Sequence, residues 1–112
     1  MRRPGVKSDH ERFDQAMFRI YETAKSEAGY TASVFLGMLG RQGGVLTAKQ
    51  LINGTKPSDG YTALFERGRL DLTVEALVVE NEKWHSLFSA AELALAKKRL
   101  RDYGYQVPAK NI

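Results

Sequence analysis

Three short phrases constrain this chain more than anything else in it. Ser8-Asp9-His10-Glu11, Thr47-Ala48-Lys49-Gln50 and Ser89-Ala90-Ala91-Glu92 each have the form of a capping box. In a capping box a hydroxyl at the N-cap accepts the backbone N–H three residues on, and the Glu or Gln there reaches back to the cap. A chain punctuated in this way builds helices. Behind the first box Phe13, Ala16, Met17, Ile20, Tyr21 and Ala24 recur at the helical period, and Gly29 supplies a left-handed stop. The pattern predicts a first helix over about 9–28.

The remaining segments follow the same logic. Thr31 reads as the cap of a second helix with Val34, Phe35, Met38 and Leu39 on its apolar face, ended by Gln42-Gly43-Gly44. Gly37 and Gly40 weaken that helix unless a neighbour uses their lack of a side chain for close approach. The box at Thr47 starts a short helix that Asn53-Gly54 stops. Pro57 cannot extend it, and Ser58 or Asp59 caps a helix bearing Tyr61, Leu64 and Phe65 that closes at Gly68. Residues 69–80 fit two templates: Leu70, Leu72, Val74, Ala76 and Val78 alternate as in a strand, while Leu72, Val74, Leu77 and Val78 suit a helix capped by Asp71. A lone strand has nothing to pair with, which favours the helix. Trp84, Leu87 and Phe88 make an apolar connector to a last helix, with Leu93, Ala96, Leu100 and Tyr103 at helical spacing and Gly104 as its stop. Lys97, Lys98, Arg99 and Arg101 crowd its last turns, where the dipole favours cations.

The expectation is a single all-α domain of five to six short helices over 9–105, between a flexible basic N-terminus (1–8) and a loose C-terminal tail (106–112). No stretch approaches the roughly 20 apolar residues of a membrane span. No apolar run follows the basic Met1-Arg2-Arg3, so a secretory signal is not expected and a cytoplasmic location is.

The residue inventory argues against catalysis. There is no cysteine and only two histidines, His10 and His85, with no serine motif or ligand spacing beside them. Asp71 and Glu75 share a face if 71–80 is helical, but each is better explained by a helix start. Neither a metal nor a cofactor is expected.

The charge pattern points instead to binding. Residues 29–56 carry Arg41, Lys49 and Lys56 and no acid, residues 57–88 are net acidic, and residues 89–112 are basic again, within a total of +4. Arg41, Lys49, Lys56, Arg67, Arg69, Lys97, Lys98 and Arg101 are the candidate nucleic-acid contacts, provided that they share a face. The competing expectation is a protein-interaction or homodimerising module, suggested by Phe18, Leu36, Leu95 and Tyr105 off the expected core faces.

Two resemblances bear on this choice. From Phe35 to Leu51, through Gly43-Gly44-Val45-Leu46-Thr47-Ala48-Lys49-Gln50-Leu51, and on to Glu66-Arg67-Gly68-Arg69-Leu70, residues 31–80 resemble the core of winged-helix, helix-turn-helix DNA-binding domains. The segment in the place of their recognition helix, Ser58–Arg67, offers Asp59, Thr62, Glu66 and Arg67. Arg67 apart, it is poor in the amide and basic side chains that read base edges, and the acids at its ends repel phosphate, so the nucleic-acid contacts expected of the basic blocks are mainly to phosphates. Gly60-Tyr61-Thr62-Ala63-Leu64-Phe65, Gly68-Arg69-Leu70-Asp71-Leu72-Thr73-Val74-Glu75-Ala76-Leu77-Val78, Leu87-Phe88 and Tyr103-Gly104-Tyr105 resemble a family of small bacterial proteins of unknown function. That likeness implies a compact module in a bacterial or phage cytoplasm and transfers no catalytic residue.

Overall fold

Ser8 and Glu11 close the expected capping box, and α1 (Asp9–Glu27) follows it. The structure is a computed structural model describing residues 8–107. Residues 1–7 and 108–112, which hold most of the expected flexible N-terminus and tail, lie outside the described residues. Phe13, Met17 and Ala24 form the buried stripe of α1.

The second and third expected helices are two arms of one element, α2 (Ser33–Asn53), kinked at Gly43. Gly43 has φ 82° and ψ 172°, a backbone conformation that only glycine takes readily. The second arm begins at Gly44 rather than at Thr47. Its first N–H, which has no acceptor within the arm, finds one in another helix: Gly44 N donates to Asp14 Oδ1 of α1 at 2.7 Å. Thr47 is therefore not a cap but a fully buried residue inside the arm, and no box forms with Gln50. Nor does Thr31 cap the first arm; Ala32 stands there with no side-chain bond. The close helix approach foreseen at Gly37 and Gly40 occurs at Gly44, where a Cβ would meet Phe13 Cδ2 at 3.0 Å.

Ser58 caps α3 (Asp59–Glu66), its hydroxyl accepting from Tyr61 N. The ambiguous stretch resolves into a 3-10 turn, Leu70–Leu72, and α4 (Val74–Glu80). Thr73, not Asp71, is the cap of α4. Val74, Glu75, Ala76, Val78 and Val79 are all buried and Leu77 and Glu80 half-buried, so α4 has no exposed residue. That enclosure explains the mixed periodicity: a helix with no solvent face shows no clear stripe. A second 3-10 turn, Glu82–Leu87, carries Trp84 against Phe13 edge to face at 5.3 Å. The capping box at Ser89 is complete, and α5 (Ala90–Asp102) lies against α4 and the second arm of α2.

The main core joins Phe13, Met17, Ile52, Tyr61, Val78, Trp84 and Leu100. A smaller cluster of Ala24, Leu64 and Leu72 sits beside it, flanked by Tyr30. None of the described residues forms a strand, so the chain is all-α and no wing follows α3. No described helix is long and apolar enough to cross a membrane.

Candidate functional site

The basic residues separate into two groups once their contacts are known. Lys49 is committed to Glu92 at 2.8 Å and lies over the Phe88 ring. Arg69 bonds both oxygens of Asp71 and also Glu27. Lys98 pairs with Asp102 one turn on. Arg67 donates to the carbonyls of Ala28 and Ala63 and stacks over Tyr30. Arg41, Lys56, Lys97 and Arg101 are exposed and have no hydrogen-bond or ion-pair partner among the described residues.

These four do not gather on one face. Arg99 turns from α5 toward the end of α2, donating to Leu51 O at 3.1 Å and Gly54 O at 2.8 Å. Lys97 is two residues before Arg99, roughly 200° around the helix. Lys97 and its neighbour Arg101 therefore face away from the arm that carries Lys49 and leads to Lys56.

The carboxylates divide similarly. Glu75 is buried and bound by Arg99 at 2.9 Å; burial pushes its pKa up against the pull of that guanidinium. Asp71 is exposed and held by Arg69, so the two acids form no pair. Burial also pushes the Glu92 carboxyl up, but hydrogen bonds from Lys49, Ser89 N–H and Asn53 outweigh it and hold its pKa at about 2. His85 is half-buried, with Nε2 at 3.2 Å from Val79 O. No group of His, Cys, Asp and Glu among the described residues has the placement to hold a metal.

A concavity of about 330 Å³ forms a groove bounded by α1, the first arm of α2 and α3. Its floor is the small core cluster, with Ala24, Leu64 and Leu72 lining it. Tyr21 of α1 and Val34 and Met38 of α2 form the walls. Val34 is 78% exposed at the rim. Phe18, also exposed, stacks on Tyr21 with ring centroids 5.9 Å apart, and so extends the apolar surface out of the groove. Leu36 is half-buried and takes no part in the lining. No Lys or Arg lines the groove; its acids are the exposed Asp59 and the compensated Glu75. Phe18 and Leu36 carry an interaction signal in the sequence, as apolar residues off the expected core faces, whereas Tyr21, Val34, Met38 and Leu64 read there as core-face residues.

No family model, curated protein or solved structure matches this chain.

Proposed function

We propose that the protein is an interaction module that seats the apolar face of a partner's amphipathic helix in the groove between α1, α2 and α3. The continuous apolar surface from the groove floor through Val34 and the Tyr21–Phe18 stack supports this reading. An exposed apolar patch with a polar rim marks an interaction surface, and helix-in-groove docking reads such a surface through a few spaced anchors. Asp59 at the mouth, with no basic residue in the lining, favours a partner carrying Lys or Arg beside its apolar anchors. The test uses two synthetic amphipathic helical peptides with one shared apolar face, flanked by Lys in one and Glu in the other. The Lys peptide should saturably shift the resonances of Tyr30, Val34 and Leu64, and the Glu peptide should bind about tenfold more weakly. Asp59→Lys should reverse that preference. Absence of groove shifts with either peptide would overturn the proposal.

A second reading, contact with nucleic-acid phosphates, is supported by the four exposed cations that have no hydrogen-bond or ion-pair partner among the described residues, above all Lys97 and Arg101 one turn apart on the outer face of α5. The resemblance to small bacterial proteins adds a bacterial or phage cytoplasm as the proposed setting for either module.

A further inference from the structure

A second cleft, of about 210 Å³, lies between the N-terminal half of α1 and the 3-10 turn Glu82–Leu87. Helix α1 contributes Asp9, Arg12, Gln15 and Arg19, and the turn contributes Lys83 and Trp84. Arg12, Gln15 and Arg19 stand at i, i+3 and i+7, which places them on one stripe of the helix. Three cations thus meet one carboxylate. Asp9 does little to neutralise them: it approaches only Arg12, at 3.6 Å, with both side chains more than half exposed. Arg19 has no ion-pair partner among the described residues. Lys83 Nζ rests 5.0 Å from the centroid of the Trp84 ring rather than on an acid.

Trp84 supplies an independent observation. It is 4% exposed, and its Nε1 is the one buried side-chain nitrogen or oxygen among the described residues without a hydrogen-bond partner. Buried donors are nearly always satisfied, and this orphan belongs to a residue that lines the cationic cleft. We infer that this cleft is an anion site that takes a phosphate group. Two guanidinium forks and an ammonium match the geometry and the double charge of a phosphate better than a single carboxylate would. The phosphate comes either from a small phosphate ester or from a nucleic-acid backbone. The inference is independent of the apolar groove, so failure of peptide binding leaves it standing.

Trp84 is the sole tryptophan, so its fluorescence reports on the cleft. Inorganic pyrophosphate should change the emission saturably, whereas chloride at matched ionic strength should not. Arg19→Gln should weaken pyrophosphate binding about tenfold without moving the thermal midpoint, because Arg19 is exposed and has no ion-pair partner among the described residues. Lys83→Gln should do the same from a shifted starting emission. Lys97→Gln, on α5, should leave the titration unchanged. Displacement of pyrophosphate by a mixed-sequence oligonucleotide, steeply weakened by salt, assigns the phosphate to a backbone; no displacement assigns it to a small ester. A response equal to that of chloride, or one undiminished in both Arg19→Gln and Lys83→Gln, overturns the inference.

Discussion

Arg99 ties together more of this molecule than any neighbour in its basic run. Its guanidinium donates to Leu51 O, Gly54 O and Glu75 Oε2, closing the end of α2 onto α4 and α5. Its own carbonyl accepts from Tyr61 Oη at 3.1 Å. Removing one member of a buried pair strands the other charge, so Arg99→Met should cost about 3–5 kcal/mol in urea unfolding. The double variant Glu75→Leu/Arg99→Met should recover much of that loss, since a buried pair replaced by apolar residues is often near neutral. Glu92 gives the corresponding pH prediction. Its pKa is held at about 2 in the fold against about 4.3 in an unfolded chain. Its stabilisation is therefore fully present above the unfolded value and is lost as pH falls toward the folded one. The stability difference between the wild type and Glu92→Gln should be constant near neutral pH and shrink progressively below pH of about 4. A difference that grows on acidification would reverse the assigned sign. The sequence identifies Arg99 and Glu92 only as helix-end residues, because their decisive partners lie outside their own helix.

Caps show which elements are legible locally. Ser8, Ser58 and Ser89 act as their positions in the sequence predict, each bonding an N–H three residues away. Ser89→Ala should cost about 1 kcal/mol in thermal or urea unfolding. The start of the second arm of α2 obeys a different rule, with its acceptor 30 residues earlier in Asp14. Asp14→Ala should lower stability by about 1 kcal/mol and speed exchange of the Gly44 amide. Gly44→Ala should cost about 1–3 kcal/mol, because the new Cβ would sit 2.8 Å from Asp14 Oδ1 and 3.0 Å from Phe13 Cδ2. Thr47-Ala48-Lys49-Gln50 carries the letters of a capping box without acting as one, since the trans cap at Gly44 has already started the helix. Residues 69–80 were ambiguous for the complementary reason: periodicity reports a solvent face, and α4 has none.

Across the whole molecule the basic residues cease to be one population. Lys49 and Arg69 belong to ion pairs of the fold, whereas Lys97 and Arg101 face outward. If double-stranded DNA binds at low salt, the double variant Lys97→Gln/Arg101→Gln should reduce the slope of log affinity against log salt by about 2. Lys49→Gln should leave the slope unchanged and lower stability instead. The apolar groove is likewise a property of the assembled molecule, since its walls come from three helices that are separate in the sequence.

The sequence by itself determined the helical class, most helix ends and the buried faces of α1 and α5. These depend on hydrogen bonds and side-chain spacing within about four residues, where the chain is its own context. Tertiary structure decided the kink at Gly43, the enclosure of α4, the spending of Lys49 and Arg99 on internal partners, the groove, and the gathering of Arg12, Arg19 and Lys83 around Trp84. Lys49–Glu92, Arg99–Glu75 and Gly44–Asp14 join residues 43, 24 and 30 positions apart. At such separations a charge pattern states which partners exist and not which of them meet, because that choice is made only when packed helices bring their surfaces together.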